Sequence, residues 1–126
     1  ATDDFGCIAS NSVIVTELLK HKKINPNMES TDFGTPLYMA CNQGHLNIVK
    51  VLLNYEGETP VNPNSGLPLI CAIQINRLDI VTELLDHNAS PDIQDVFGQT
   101  PLHIAEIYGY LHFNMTTRTS FTSKTN

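Results

Sequence analysis

The sequence predicts an all-α fold: a solenoid of about four stacked helix-turn-helix units with loops projecting between them. Three observations support that class. The hexapeptide Ile14-Val15-Thr16-Glu17-Leu18-Leu19 returns unchanged at Ile80-Val81-Thr82-Glu83-Leu84-Leu85, and Ile48-Val49-Lys50-Val51-Leu52-Leu53 lies between them at offsets of 34 and 32. A second marker keeps step: Thr35-Pro36-Leu37, Leu67-Pro68-Leu69 and Thr100-Pro101-Leu102 are spaced by 32 and 33, with Ala40, Ala72 and Ala105 four residues after each proline. The distance between the two markers is thirteen from Thr35 to Ile48, from Leu67 to Ile80 and from Thr100 to Phe113. The return distances, Leu19 to Thr35, Leu53 to Leu67 and Leu85 to Thr100, are sixteen, fourteen and fifteen. A period of about 20–50 residues marks units that bury their apolar faces only by stacking. The half of each unit with fixed length is the packed part, and the half that varies runs over the surface.

The first unit, about residues 1–31, is degenerate. Counting back thirteen from Ile14 reaches Ala1 and no Thr-Pro-Leu, while the second helix keeps its pattern and ends in His21, Lys22 and Lys23, cations suited to the negative end of a helix dipole. In the second unit, about 32–64, Thr35 is a good N-cap residue and Pro36 fits the first helical position, where its missing N–H is no loss. Leu37, Ala40 and Cys41 then share one face, and the small alanine lets a neighbouring helix approach. Gly44 supplies the left-handed stop. The next segment gathers Leu46, Val49, Leu52 and Leu53 on one stripe with Asn47, Lys50 and Asn54 opposite, an amphipathic helix antiparallel to the first. In the third unit, about 65–96, Asn76 takes the stopping role and Asn88 suits the next left-handed cap. The fourth, 97–114, is incomplete: it starts on Thr100-Pro101 and stops at Gly109, and after Phe113 two further apolar pairs are missing. Residues 115–126, rich in Ser and Thr, read as a frayed tail. The connections, such as Asn62-Pro63-Asn64-Ser65-Gly66, carry turn chemistry.

Charge and composition narrow the function classes. The formal net charge is −6, and between residues 24 and 117 only Lys50 and Arg77 oppose ten acidic residues. An acidic surface lacks the positive field that attracts phosphate backbones or anionic lipid, so neither nucleic acid nor membrane is an expected partner. The longest apolar run, Leu69 to Ile73, is five residues, against about 20 for a bilayer crossing. Cys7, Cys41 and Cys71 form no CxxC pair and read as reduced intracellular thiols, which points to the cytoplasm, or the nucleus. The sequons at Asn88 and Asn114 are read as chance triplets, and Pro91 hinders use of the first.

These residues resemble the ankyrin repeat. Residues 84–112 carry the resemblance best, from Leu84-Leu85 through Asn88-Ala89, Asp95, Gly98, Thr100-Pro101-Leu102-His103-Ile104-Ala105 and Gly109. The resemblance covers about 32–113 and implies helical pairs joined by hairpin-like fingers set at right angles. It also implies that His45 and His103 are structural, His103 bridging its first helical turn, with Tyr38 and Ile70 in its place elsewhere. The family's contact positions, transferred to this sequence, are Asp32, Phe33, Asn64, Ser65, Val96 and Phe97 on the fingers, with Gln99 at an added finger position. On the first helices they are Asn42, Gln43, Gln74, Ile75, Ile107 and Tyr108. Phe33, Ile75, Val96, Phe97, Ile107 and Tyr108 are large apolar groups of the kind that anchor protein partners. Either they stand open, or Phe33 and Phe97 cover the finger bases while Ile75 and Ile107 pack against the next unit. Asp32, Asp92, Asp95 and Glu106 around them favour a partner with a basic segment.

Catalytic chemistry is not written in the chain. There is no G-x-S-x-G, Walker A loop, G-x-G-x-x-G or H-E-x-x-H. Cys41 and His45, four apart, make half a metal site without further local ligands, and Cys41 reads better as a small buried residue. Glu17, Asp79, Glu83 and Asp86 read as the solvated face of a helix. The expectation is therefore a non-enzymatic, cofactor-free scaffold or adaptor, a monomer that holds another protein in its concave face. The alternatives are an inhibitor that masks an enzyme or transcription factor, and a targeting fragment of a larger protein, the latter suggested by Ala1 falling within a unit.

Overall fold

The computed structural model of the chain describes residues 12–117, with side chains as far as Gly109. Residues 1–11 of the expected first unit and 118–126 of the expected tail lie outside the described residues. Six helices follow in order: α1 at 12–18, α2 Pro36–Gln43, α3 Leu46–Leu53, α4 Pro68–Gln74, α5 Leu78–Asp86 and α6 Pro101–Thr117. No strand occurs among the described residues, and one isolated antiparallel bridge joins Ser30 to Gly34.

The helices form two layers. First helices α2, α4 and α6 pack side by side, second helices α3 and α5 pack on each other, and the pairs α2–α3 and α4–α5 close each hairpin. Between the layers lie Leu37, Ala40 and Cys41 of α2, Val49 and Leu52 of α3, Leu69 and Ala72 of α4, and Ile80 and Leu84 of α5. Removing each large aliphatic side chain from water contributes about 1.5–3 kcal/mol, which offsets the ordering of hairpins too short to hold alone. Val15 and Leu19 of the first unit pack against the same core.

Stops and starts follow the sequence. The N–H of Gly44 reaches the Cys41 carbonyl at 3.1 Å and that of His45 reaches Ala40 at 2.9 Å, with Gly44 at φ +73°. The same pair of closing bonds recurs at Asn76 (φ +60°) and at Asn88 (φ +72°). These are three copies of one helix stop that needs a left-handed residue. At the start of α2, Thr35 Oγ1 accepts from the Tyr38 N–H at 3.1 Å and donates to the Ser65 carbonyl of the next unit at 3.3 Å. At α6 the Thr100 N–H donates to His103 Nδ1 at 3.1 Å, the bridge expected of that histidine. Leu67, before α4, has no such cap and sits at φ +58°.

Units also hold each other through polar contacts. Tyr55, itself buried, donates its hydroxyl to the carbonyls of His21 and Ile24 at 3.0 and 3.1 Å. Arg77 grips Asp79 with Nε and Nη2 at 3.0 and 2.8 Å, and its Nη1 donates to the Gly44 carbonyl at 2.8 Å, across to the preceding hairpin. That grip holds the Asp79 carboxyl below the usual carboxylate range.

One expectation is overturned. Gly109 does not stop its helix: α6 runs on to Thr117, across the boundary expected at 114 and into the first residues of the expected tail. The sequence beyond the turn gives the reason. After Gly44 come Leu46, Val49 and Leu52, which pack in or against the core, whereas the same positions after Gly109 are Leu111, Asn114 and Thr117, with less apolar surface to bury. A helix end with less to bury by turning back gains one backbone bond for each residue it adds.

Candidate protein-interaction surface

The first finger turns at 30–34, where Ser30 and Gly34 exchange backbone bonds of 2.9 and 3.2 Å and the Phe33 N–H donates to Ser30 Oγ at 2.8 Å. The third finger repeats this plan with a carboxylate. Asp95 N–H donates to the Gln99 carbonyl at 3.0 Å, while its Oδ1 accepts from the Phe97 and Gln99 N–H groups, each at 2.9 Å. Gly34 and Gly98 take the positive φ that these tips require. The tip backbones are therefore fixed, and the residues between their closing bonds face water: Phe33 is 62% exposed, Val96 90% and Phe97 82%. Neither phenylalanine covers its finger base. Tyr38 does that work for the first two fingers, its ring and Cβ lying 3.1 and 2.9 Å from where side chains on Gly34 and Gly66 would start.

The remaining predicted residues divide by what their polar atoms already do. Asp32, Asn42, Gln43 and Gln74 are exposed. Asn42 Oδ1 accepts weakly from the Cys71 thiol at 3.5 Å. Asn64 and Ser65 are half-buried and tie units together, Asn64 Oδ1 accepting from the Ser90 N–H at 2.8 Å and the Ser65 carbonyl from Thr35. Gln99 is half-buried with its backbone engaged in the finger. Ile75 is half-buried at the end of α4, and Ile107 and Tyr108 of α6 are exposed.

The structure does not gather all these residues at one place. Gln74 and Tyr108 line the same cleft, a space of about 400 Å³ between α5 and α6 that is also bounded by Ile73, Leu78, Val81 and Ala105. Gln43 borders a second cleft of about 270 Å³ with Ile14, Val15 and Met39. Phe33, Val96 and Phe97 stand outside both, on loops one unit or more apart. Leu78 and Leu102, both exposed, were not among the predicted contact residues. Leu102 stands at the register of Leu37 and Leu69, and Leu78 at that of Leu46, so the repeat pattern alone made both core positions.

The chemistry of the two described cysteines, Cys41 and Cys71, is that of packing. Burial pushes the Cys41 thiol up from 9.0 to about 12, with Cys71 nearby adding to the effect, and burial raises Cys71 as well. A thiol held protonated is a poor nucleophile and a poor metal ligand at neutral pH. Among the described residues no three His, Cys, Asp or Glu side chains converge as a metal site. No described helix is long and apolar enough to cross a membrane.

The sequence matches the family model of ankyrin repeats in three copies, over residues 6–95 and 57–115. The chain is an ankyrin-repeat protein. Among its relatives, the ankyrin repeat protein YahD of Escherichia coli is 41% identical over 85 residues, covering 61% of this chain and 42% of YahD. The Probable 26S proteasome regulatory subunit p28 of Saccharomyces cerevisiae is 31% identical over 103 residues, covering 77% of this chain and 45% of p28. Potassium channel AKT2/3 of Arabidopsis thaliana is 30% identical over 100 residues, 79% of this chain and 10% of the channel. This ankyrin chain thus spans less than half the length of each. Ankyrin repeats are protein-interaction modules and are generally non-enzymatic.

Proposed function

We propose that the chain is a scaffold or adaptor that grips a partner protein along its concave face and finger tips, without catalysis. The observation that carries this reading is the exposure of Phe33, Val96 and Phe97 on loops whose backbones are already fixed by internal hydrogen bonds. Aromatic anchors on a preorganised loop bind with little ordering penalty, which is where interface energy concentrates. Asp32, Asp92, Asp95 and Glu106 have no ion-pair partner among the described residues, so the same edge attracts a basic segment. Asn42, Gln43, Gln74, Ile75, Ile107 and Tyr108 extend the contact onto the first helices, while Asn64, Ser65 and Gln99 act mainly by holding the fingers.

The test is a quantitative pull-down with wild type and with Phe97→Ala/Tyr108→Ala. Loss of the captured partner by at least about tenfold is expected, the scale of removing one or two anchors, with the thermal midpoint unchanged. Equal capture by the double variant defeats the reading. A second reading has its own support: the chain matches only 10% to 45% of the relatives' lengths, so the module serves as the recognition segment of a larger protein. Sequencing the full transcript distinguishes the two.

A further inference from the structure

We propose that the groove where α1 and α3 end is a second protein-docking site, and that it takes an acidic segment with an apolar side chain at its centre. This groove lies apart from the surface proposed above: none of its lining residues belongs to the fingers, to the first helices or to either cleft. Charge is unevenly placed in the chain. Of the five lysine and arginine residues among the described ones, Lys20, Lys22 and Lys50 line the groove and Lys23 is next to Lys22 in the chain. Lys20 already bonds Glu17 at 3.1 Å, whereas the exposed Lys22 and Lys50 have no carboxylate partner among the described residues. Glu56 is the one acidic residue on the lining, so three cations stand against one anion.

The lysines of the first unit are mounted on backbone that is already fixed. The Tyr55 hydroxyl bonds the His21 and Ile24 carbonyls, and the Glu58 N–H donates to the Lys22 carbonyl at 2.8 Å. The turn after α1 is thus held from the next unit, and a partner docking there has little more than lysine side chains to order. Between the lysines the floor is apolar, made by the half-buried Leu19 and Val51 and the buried Tyr55. The space is about 360 Å³. That is near the lower end of the range for ligand sites, roughly 300–1,000 Å³, and suits one or two side chains of a peptide. The surrounding charge selects the class of partner. Salt screens exposed charges separated by more than about 8 Å at physiological ionic strength, so a short acidic segment meets the field of the lysines alone. A nucleic acid or an anionic membrane extends beyond them onto a surface where ten acidic residues lie between 24 and 117, and is repelled there.

The experiment is fluorescence anisotropy of the full chain with a fluorescein-labelled peptide that carries leucine between paired aspartates. Saturable binding is expected, weakened by about fivefold in Lys22→Gln/Lys50→Gln, the scale of two exposed charge contacts, with the thermal midpoint unchanged. Serine in place of the peptide's leucine weakens binding several-fold, because the apolar floor loses its occupant. Phe97→Ala/Tyr108→Ala leaves the affinity as it was, so failure of this groove and failure of the finger surface are read separately. Absence of binding, equal binding by the lysine double variant or equal binding of the serine peptide overturns the proposal. So does displacement of the peptide by vesicles of phosphatidylserine and phosphatidylcholine in equal parts, because the lysines are then a membrane contact.

Discussion

The hairpins Pro36–Leu53 and Pro68–Asp86 share one layout and reach it by different means. The first starts on Thr35, in extended backbone at φ −84° with a side-chain cap, and stops on a glycine. The second starts on Leu67, left-handed at φ +58° with no cap, and stops on an asparagine. In the first, the flanking Leu46 and Leu53 are packed; in the second, the corresponding Leu78 and Leu85 are exposed. The distance from helix start to second-helix marker is thirteen in both. Local signals therefore differ while geometry persists, so it is the shared core of Leu37, Val49, Leu52, Leu69, Ile80 and Leu84 that sets the hairpin, and the caps adjust it.

The sharpest way to break this comparison is at the core. Leu52 and Leu84 occupy the same register on α3 and α5 and are 3% and 0% exposed. Leu→Ala at either site should cost about 2–5 kcal/mol, combining lost transfer energy with the cavity left behind. Urea unfolding should return costs alike within about 1 kcal/mol and slopes like wild type, because the two hairpins unfold as one stack. A Leu84→Ala transition that splits in two would mean that the second hairpin melts alone and that its missing cap and open flank matter more than the common core.

A smaller effect separates the two stops. Gly44→Ala and Asn76→Ala each place alanine in left-handed backbone, a loss of about 1–2 kcal/mol. Gly44→Ala should exceed Asn76→Ala, since the new Cβ would lie 2.6 Å from Arg77 Nη1 and dislodge its bond to the Gly44 carbonyl. In an Arg77→Ala background the excess should vanish, which a double-mutant cycle on thermal midpoints measures. An excess that persists without the arginine would place its origin in the turn itself.

How far the sequence could be read follows the same division. The repeat and the stops at Gly44, Asn76 and Asn88 depend on residues within one turn, and the order of residue types displays them, whereas the exposure of Phe33 and Phe97 is one of two readings that the sequence leaves open. The continuation of α6 through Gly109 was hidden because a glycine stops a helix only when the chain beyond it packs, and that depends on residues outside the turn. The structural duty of Asn64 and Ser65 was hidden for the same reason: their partners, Ser90 and Thr35, are 26 and 30 residues away. At the finger and first-helix positions the sequence shows where apolar groups sit but not whether they are covered, and a polar residue in a loop serves a partner or its own fold equally well until the fold is drawn.

The smallest expected effect tests the claim that caps only adjust. Thr35→Ala removes a side-chain cap and leaves the Ser65 carbonyl without its donor, a loss of about 0.5–2 kcal/mol. At Leu67 the sign should reverse. Leucine in left-handed backbone carries a strain of about 1–2 kcal/mol, and asparagine tolerates that conformation far better. Against this gain stands the half-buried leucine side chain, whose partial removal from water is worth about 1 kcal/mol. Leu67→Asn should therefore stabilise the chain slightly, raising the thermal midpoint by about 2 °C. A midpoint lowered by several degrees would show that Leu67 packs more than it strains, and that the second hairpin replaced its cap with a core contact.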